Sequence, residues 1–248
     1  MTVRTALITG AAGGICSELA RALAARGDRL VLFDRDETAL KELGTELSGT
    51  TEVRTLTGDV RDVARLEAEL GALTGAWAPE ILVNGVGGDT RVVAVENLDE
   101  TFLNDSLALN VVPVLTTMRL CVPAMKRSGY GRIVNFSSAG GRTYSHFSNA
   151  AYVAAKAAVL GLTKQAAYEL APFGVRVNAV AHGPIATRRI ADAWAVRPEE
   201  ERQAVLAQIP VGRLGTVAEA VGSVLHLCSE EAGFTTGTVV DVNGGLLI

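Results

Sequence analysis

The sequence of 248 residues has few of the side chains that build disulfide frameworks and metal centres. It contains three cysteines, Cys16, Cys121 and Cys228, which lie far apart and form no Cys-x-x-Cys pair, and only three histidines. Disulfide-rich and zinc-binding domains instead carry closely spaced sets of these residues. We therefore expect neither a disulfide framework nor a metal site.

The sequence also lacks an excess of positive charge and a long hydrophobic run. Its 23 Lys and Arg residues are outnumbered by 27 Asp and Glu residues, and this net charge of -4 provides no basic field for nucleic acid. No signal peptide is recognisable, and apolar stretches such as residues 150–162 are interrupted by Lys156 and Gly161 before the roughly 18 residues of a membrane span. We expect a cytoplasmic protein with neither nucleic acid nor a membrane as partner.

Hydrophobic residues make up 48% of the sequence and follow two alternating patterns. Short runs rich in Val, Ile and Leu predict strands, and the longer segments between them have helical spacing. The strand runs are apolar on both faces, as in a parallel sheet covered by helices on both sides. The predicted strands are 5–9, 30–34, 53–57, 81–84, 132–137, 175–180 and 239–242, and the predicted helices are 15–26, 37–47, 63–73, 101–127, 151–172 and 216–227.

This alternation predicts the α/β class, with one doubly wound domain over residues 1–248 and a parallel sheet of about seven strands flanked by helices. No linker, repeat or low-complexity stretch divides the chain. The least regular segment is 187–213, which contains Pro198 and Pro210. We expect it to be an insertion over the edge of the sheet.

The first predicted strand runs into a glycine-rich turn, residues 9–15, followed at once by a helix. Glycines at such a turn let the backbone approach a pyrophosphate, which the N–H groups of the helix then bind. The candidate contacts are Gly10, Gly13, Gly14 and Ile15. The pattern indicates a dinucleotide, although a turn of this kind is also often only a tight turn.

An acidic residue, Asp34, ends the second predicted strand twenty residues after Gly14. A carboxylate at this spacing accepts hydrogen bonds from the adenosine ribose hydroxyls and repels a 2'-phosphate. The sequence therefore favours NAD over NADP, although Arg35 follows directly and is able to accommodate part of a phosphate. The alternative interpretation of Asp34 is a solvated cap of the next helix.

Two further turns follow the third and fourth predicted strands. Asp59 and Val60 lie in the first of them, and Asn84 and Gly85 in the second. Ligands of open α/β sheets bind at the carboxyl ends of the strands. We predict that these four residues contact the cofactor, although each turn is a weak signal alone.

Tyr152 and Lys156 are four residues apart on a predicted helix, so that a phenol and an ammonium share one face. A neighbouring cation favours the phenolate and moves the pKa of a tyrosine, ordinarily about 10, toward the range useful for general acid–base chemistry. An isolated pair of this kind is usually an ordinary surface Tyr and Lys. Here Ser138 follows the preceding strand and can reach the same substrate oxygen.

Taken together, these motifs resemble the short-chain dehydrogenase/reductase family over essentially the whole chain. The resemblance is carried by the turn around Gly10, by Asp59-Val60, 84–87, Asn110, Ser138, Tyr152-x-x-x-Lys156, 178–183, Thr187 and the C-terminal 236–245. It implies a Rossmann-like fold and a nicotinamide cofactor, which Gly183, Ile185 and Thr187 would also contact.

The resemblance also implies catalytic roles. Tyr152 would be the acid/base, Ser138 would orient the carbonyl or alcohol oxygen, Lys156 would bind the nicotinamide ribose and assist Tyr152, and Asn110 would hold a water leading to Lys156. Ser138 lies one residue further from Tyr152 than is usual, so Ser137 remains an alternative for its role.

The sequence departs from the family pattern at three places. Cys16 stands where the third glycine of the cofactor turn is usual, Gly85 and Val86 replace an Asn-Ala pair, and His182 replaces the proline before Gly183. For Cys16 we weigh a small buried thiol against a redox sensor. For His182 we weigh a packed loop residue against a role beside the nicotinamide or substrate.

The segment 187–213 would, by resemblance, form the substrate lid. It contains Arg188, Arg189, Trp194 and Arg197, and a pair of arginines there is able to bind an anionic substrate. His146, just before the catalytic helix, is a further candidate for the substrate pocket. The resemblance also implies a homo-oligomer, a tetramer or a dimer, built from helices 101–127 and 151–172.

These observations predict an NAD-dependent oxidoreductase that interconverts a secondary alcohol and a ketone. One alternative is a 3-oxoacyl-thioester reductase that uses NADPH. Another is a regulatory protein that binds a dinucleotide but has lost catalysis, which the departures at Cys16 and His182 keep open.

Overall fold

The fold is described from a computed structural model, which covers residues 2–248 except for the side chains of Arg189 and Ala193. Within this range the chain forms seven strands and nine α-helices. The strands are β1 Thr5–Thr9, β2 Arg29–Asp34, β3 Val53–Thr57, β4 Ile81–Asn84, β5 Gly131–Phe136, β6 Val175–His182 and β7 Val239–Val242. The helices are α1 Gly14–Arg26, α2 Glu37–Leu47, α3 Val63–Gly71, α4 Glu100–Asn110, α5 Val112–Ser128, α6 Ala150–Leu170, α7 Arg188–Ala195, α8 Glu199–Leu206 and α9 Val217–Leu227.

The seven strands form one parallel sheet in the order β3-β2-β1-β4-β5-β6-β7, which confirms the predicted doubly wound class. Helices α1, α2 and α9 bury their apolar side chains on one face of the sheet. Helices α3, α5 and α6 cover the other face. The strand order reverses between β1 and β4, and open α/β sheets bind ligands outside the carboxyl ends of the strands at such a point.

The predicted single helix over residues 101–127 is wrong, because two helices meet there at Val111. Val111 has φ -117° and ψ -53°, away from ideal helical values. Pro113, at the start of α5, has no N–H to donate to a preceding turn of helix and its ring would clash there, so the first helix ends before it.

Although residues 100–128 have the length and hydropathy of a membrane span, α4 packs on α6, and α5 packs on β4 and β5.

The segment 187–213 is more regular than its sequence indicates. It contains the short helices α7 and α8, and Thr187 caps the first of them by accepting a hydrogen bond from the Ile190 N–H at 3.4 Å. Pro198 precedes α8 at a position where a missing N–H costs nothing. Pro198 therefore marks the start of α8, whereas Pro210 lies in the turns between α8 and α9.

Candidate active site

A cleft of about 880 Å³ opens at the carboxyl ends of the strands. Its lining combines the first turn of α1, the loop after β4, the ends of β5 and β6, the start of α6, and α7. The predicted site residues that line it are Ile15, Gly85, Ser138, His146, Tyr152, Lys156, Gly183, Ile185, Thr187 and Trp194. Among the described residues, the remaining predicted ones are not part of this lining and are located below.

The glycine-rich turn leaves the start of α1 open to an anion. Gly10 has φ +69°, a conformation that favours glycine, and Gly13 precedes the helix without a side-chain cap. The first N–H groups of a helix have no acceptor within it, and the first turn of α1 carries no acidic residue. Gly14 lies against the lid, since a Cβ at this position would be 3.0 Å from Thr187 Cβ. These features suit a pyrophosphate.

The carboxylate of Asp34 is fixed beside this turn. Its Oδ2 accepts a hydrogen bond from the Ala12 N–H at 2.9 Å, and its Oδ1 accepts one from the Asp36 N–H at 3.0 Å. Each carboxylate oxygen has a second lone pair, so that Asp34 can still accept hydrogen bonds from ribose hydroxyls. The alternative role as a helix cap belongs instead to Asp36, which accepts from the Ala39 N–H.

Asp59 and Val60 follow β3 and so lie at the same carboxyl-terminal edge of the sheet as Asp34 at the end of β2. Val60 is buried, whereas Asp59 forms an ion pair with Arg61 at 2.6 Å. This hydrogen-bonded arginine lowers the pKa of Asp59 to about 2, with a smaller contribution from the charge of Arg35. Arg35 is thus an exposed cation near Asp59.

Two departures from the family pattern compensate for each other. Cys16 is buried, and a Cβ placed on Gly85 would lie 2.2 Å from its Sγ. The thiol therefore occupies the space that a side chain at position 85 would need. Burial raises the pKa of Cys16 to about 12, which favours the interpretation as a packing residue over that as a redox sensor.

A Gly85→Ala substitution is expected to lower the free energy of unfolding by about 1–3 kcal/mol through overpacking. Urea unfolding measures this change. Adding Cys16→Gly to the same protein is expected to restore part of the loss, because it removes the thiol. The recovery is incomplete because the Thr9 carbonyl oxygen remains 2.8 Å from the new Cβ. Cys16→Gly alone completes the double-mutant cycle, and single-variant losses that simply add up in the double variant would contradict the pairing.

The side chain of Asn84 does not enter the cleft but takes part in a buried polar network. Its Nδ2 donates to Asn135 Oδ1 at 2.9 Å, and its Oδ1 accepts from Thr117 Oγ1 at 2.7 Å. Asn135 in turn donates to Thr163 on α6. The network ties β4, β5, α5 and α6 together. Because the side chain of Asn84 is engaged there, its backbone would make the predicted contact with the cofactor, which remains a prediction.

The centre of the cleft holds the Tyr152 and Lys156 pair on α6. Asn149 begins this helix by accepting a hydrogen bond from the Tyr152 N–H at 2.9 Å. The Lys156 Nζ lies 5.9 Å from the centre of the Tyr152 ring and donates to the Phe136 carbonyl oxygen at 2.9 Å. Lys156 is only 2% exposed, and this burial lowers the pKa of its ammonium to about 8.

Asn110 and Gly87 position the loop after β4 next to this lysine. The Asn110 side chain accepts from the Gly88 N–H at 3.1 Å and donates to the Ser106 carbonyl oxygen at 3.0 Å. A Cβ on Gly87 would lie 2.5 Å from Lys156 Nζ and 3.2 Å from Asn110 Oδ1. Glycine at position 87 thus permits the close approach of Lys156. That Asn110 also holds a water leading to Lys156 remains a prediction.

The two serines after β5 have different contacts. Ser137 Oγ donates to the Lys156 carbonyl oxygen at 2.9 Å and so anchors α6. Ser138 Oγ accepts from the Gly140 N–H at 3.2 Å and keeps its own hydroxyl hydrogen for another acceptor. This difference favours Ser138 over Ser137 as the serine that meets a substrate.

Among the described residues, the arginines that line the cleft are Arg197 of the predicted lid segment and Arg142, which lies outside that segment. Arg188 is exposed and outside the lining, and the side chain of Arg189 lies outside the described part of the structure. Arg142 forms an ion pair with Asp241 at 3.4 Å, and Arg197 forms one with Glu201 at 3.7 Å. Arg142 was missed because no local pattern marks it.

A cleft of this construction, at the reversal point of a doubly wound sheet, defines the class: an oxidoreductase suited to a nicotinamide dinucleotide. A family model described as enoyl-(acyl carrier protein) reductase matches residues 10–247. The chain belongs to the short-chain dehydrogenase/reductase family.

Individual relatives match almost the whole chain. Nodulation protein G of Azospirillum brasilense is 36% identical, over 99% of each chain. The 3-oxoacyl-[acyl-carrier-protein] reductase FabG of Rickettsia felis is 32% identical, over 100% of this chain and 98% of its own. A crystal structure of a 3-oxoacyl-[acyl-carrier protein] reductase with bound NAD from Brucella melitensis is 32% identical, with a TM-score of 0.86, and the match covers 99% of this chain and 91% of that one.

Proposed function

We propose that the protein is an NAD-dependent oxidoreductase that interconverts a secondary alcohol and a ketone. The observation that carries this proposal is the buried Lys156 ammonium, 5.9 Å from the centre of the Tyr152 ring in a cleft that Ser138 also lines. A phenol beside a buried cation is suited to exchanging a proton with a substrate oxygen near neutral pH.

In the oxidation direction, the Tyr152 phenolate accepts the proton of the substrate hydroxyl. Ser138 donates a hydrogen bond to the same oxygen and holds it in place. The Lys156 ammonium stabilises the phenolate, since a pKa of about 8 leaves it mostly protonated at pH 7. Bound NAD supplies the hydride acceptor, and the turn before α1, Asp34 and the β6–α7 segment would hold it.

The preference for NAD rests on Asp34. Its carboxylate is fixed by two backbone N–H groups next to the glycine-rich turn, where a ribose 2'-phosphate would meet its negative charge. Arg35 is exposed and lies near Asp59, whose charge offsets its own.

An Asp34→Ser variant is expected to lose the discrimination between the two cofactors. The ratio of kcat/KM for NADH to that for NADPH should fall by about tenfold or more, equivalent to about 1.4 kcal/mol. Asp36→Ser is the matched control, because it lies two residues away and a serine retains the helix cap. A wild-type protein that prefers NADPH would refute the choice of cofactor.

A second candidate is a 3-oxoacyl-thioester reductase that uses NADPH. It is favoured by the names of relatives from Rickettsia felis, Escherichia coli and Vibrio cholerae, all called 3-oxoacyl-[acyl-carrier-protein] reductase FabG. The fixed carboxylate of Asp34 argues against the NADPH of this candidate, but not against its substrate, since the Brucella melitensis reductase of that name holds NAD.

The experiment that separates these candidates is a substrate panel followed by the absorbance of the nicotinamide. Secondary alcohols with and without a carboxylate are tested with NAD, and a 3-oxoacyl thioester is tested with NADH and NADPH. We expect oxidation with NAD, with anionic alcohols preferred because Arg142 and Arg197 line the cleft. Turnover of the thioester alone, with NADPH, would establish the second candidate, and binding of NADH without any turnover would indicate a protein that has lost catalysis.

A further inference from the structure

The β4 loop, residues 85–94, forms one wall of the cleft. It contains neither helix nor strand, and its residues Thr90 and Val92 line the cleft together with Tyr152. In the described part of the chain, no backbone–backbone hydrogen bond joins residues 89–93 to another element. The position of this wall therefore depends on side chains that bind the loop.

The β4 loop includes a backbone conformation that residues with a side chain rarely adopt. Asp89 has φ +60°, and among the described residues it is the one non-glycine residue with a positive φ. Its carboxylate forms an ion pair with Arg91 at 2.6 Å, and the Arg91 guanidinium lies 5.0 Å from the centre of the Phe102 ring on α4. Such conformations persist where the surrounding structure determines them, and they are concentrated at functional sites.

Asn149 is a buried side chain that binds the β4 loop at this point. Its Nδ2 donates to the Asp89 carbonyl oxygen at 3.2 Å and to the Arg91 carbonyl oxygen at 2.8 Å. Its Oδ1 accepts from the Tyr152 N–H at 2.9 Å, at the start of α6. The reverse orientation of the amide would place its oxygen against two carbonyl oxygens and its NH₂ group against an N–H. One amide thus uses both of its donor hydrogens on the loop and its acceptor on the helix of Tyr152.

We propose that Asn149 is a positioning residue, which holds the β4 loop against the start of α6 and so places Thr90 and Val92 opposite Tyr152 for binding of the substrate. This inference rests on the proposed function. Asn149 is not part of the lining of the cleft, so it acts through the residues that it binds. A helix cap requires the acceptor oxygen alone. The two hydrogen bonds that it donates to the loop distinguish Asn149 from an ordinary cap.

Two substitutions separate the cap of α6 from the bonds to the loop. Asn149→Ser and Asn149→Asp both retain an oxygen that caps the helix. Neither replaces the two donors, because serine is shorter and has one hydrogen, and an ionised aspartate has none. The probes are 1-phenylethanol and mandelate, a neutral and an anionic secondary alcohol of similar shape. For each probe that the wild type oxidises with NAD, we expect KM to rise about tenfold in both variants while kcat stays nearly unchanged.

Limited proteolysis measures the hold on the loop without any turnover. The bond between Arg91 and Val92 is a trypsin site, and its carbonyl oxygen is the one that accepts from Asn149 at 2.8 Å. Its cleavage follows the population of the locally open loop when reclosing is fast. We expect cleavage there to become about tenfold faster in both variants, relative to cleavage after the exposed Arg213 in the same digest. Global unfolding would accelerate both cleavages.

Asn97→Asp is the matched control, because it places a new carboxylate on an exposed residue just after the β4 loop and should change neither measurement. Wild-type KM values and cleavage rates in folded Asn149→Ser and Asn149→Asp overturn the inference. Faster cleavage with unchanged KM also overturns it, as does a parallel increase of cleavage at both arginines with unchanged KM, which would leave Asn149 a purely structural cap. If the wild type oxidises neither probe, the proposed function fails for these alcohols. The cleavage ratio then still decides whether Asn149 fixes the loop, which keeps the two conclusions apart.

Discussion

A Tyr152→Phe variant is expected to lower kcat for alcohol oxidation by about 10²–10⁴, the usual contribution of general acid–base catalysis. The phenylalanine ring fills the same space but has no oxygen to accept the substrate proton. Affinity for NADH should stay nearly unchanged, because the turn before α1 and Asp34, which would hold the adenosine and pyrophosphate, are not altered. Steady-state kinetics and NADH titration of the same preparation measure the two quantities.

Tyr168→Phe is the matched control for this prediction. Tyr168 lies on the same helix, α6, but is 81% exposed, so the loss of its hydroxyl should leave kcat unaffected. A Tyr152→Phe variant with wild-type kcat would remove Tyr152 as the proton acceptor. A variant that loses NADH binding as well as turnover would instead assign it a role in binding the cofactor.

The strands and the catalytic pair could be predicted because local patterns specify them. The predicted strands 5–9, 53–57, 81–84 and 239–242 agree with the observed ends, since an apolar run bounded by turn residues defines both limits. The spacing of Tyr152 and Lys156 is likewise a property of one helix. The helix over 101–127 was wrong although Pro113, the residue that explains its division, was visible in the sequence.

Contacts between residues distant in sequence could not be predicted. The fit of Cys16 to Gly85, 69 positions later, depends on how the turns after β1 and β4 meet at the reversal point. The side chain of Asn84 turns into the network with Asn135 because buried amides require partners on every side. For His182, the edge-to-face contact with Phe136 arises only when β6 pairs with β5.

Lys156 combines a functional requirement with a cost to folding. Its ammonium is 2% exposed, and burial lowers its pKa from 10.5 to about 8. This difference corresponds to about 3 kcal/mol against the charged form in the folded protein. The hydrogen bond to the Phe136 carbonyl oxygen offsets part of the cost. The proposed reaction needs the charge, since it stabilises the phenolate of Tyr152.

A Lys156→Met variant is therefore expected to lose most of its turnover and yet to unfold less readily. At pH 7 the free energy of unfolding should rise by about 1–2 kcal/mol, because the buried charge is removed while the Phe136 carbonyl oxygen loses its donor. Urea unfolding measures the gain. Lys164→Met on the same helix is the control, since Lys164 is exposed and should change neither stability nor turnover by much.

The pH dependence of this gain identifies its cause. Between about pH 8 and pH 10.5 the unfolded chain holds the Lys156 proton and the folded protein does not, so the stability of the wild type rises with pH through this window. Lys156→Met has no such proton to lose. Its advantage over the wild type should consequently shrink as the pH is raised from 8 to 10.5. An advantage that stays constant over this range would mean that packing of the methionine, and not the desolvated ammonium, accounts for it.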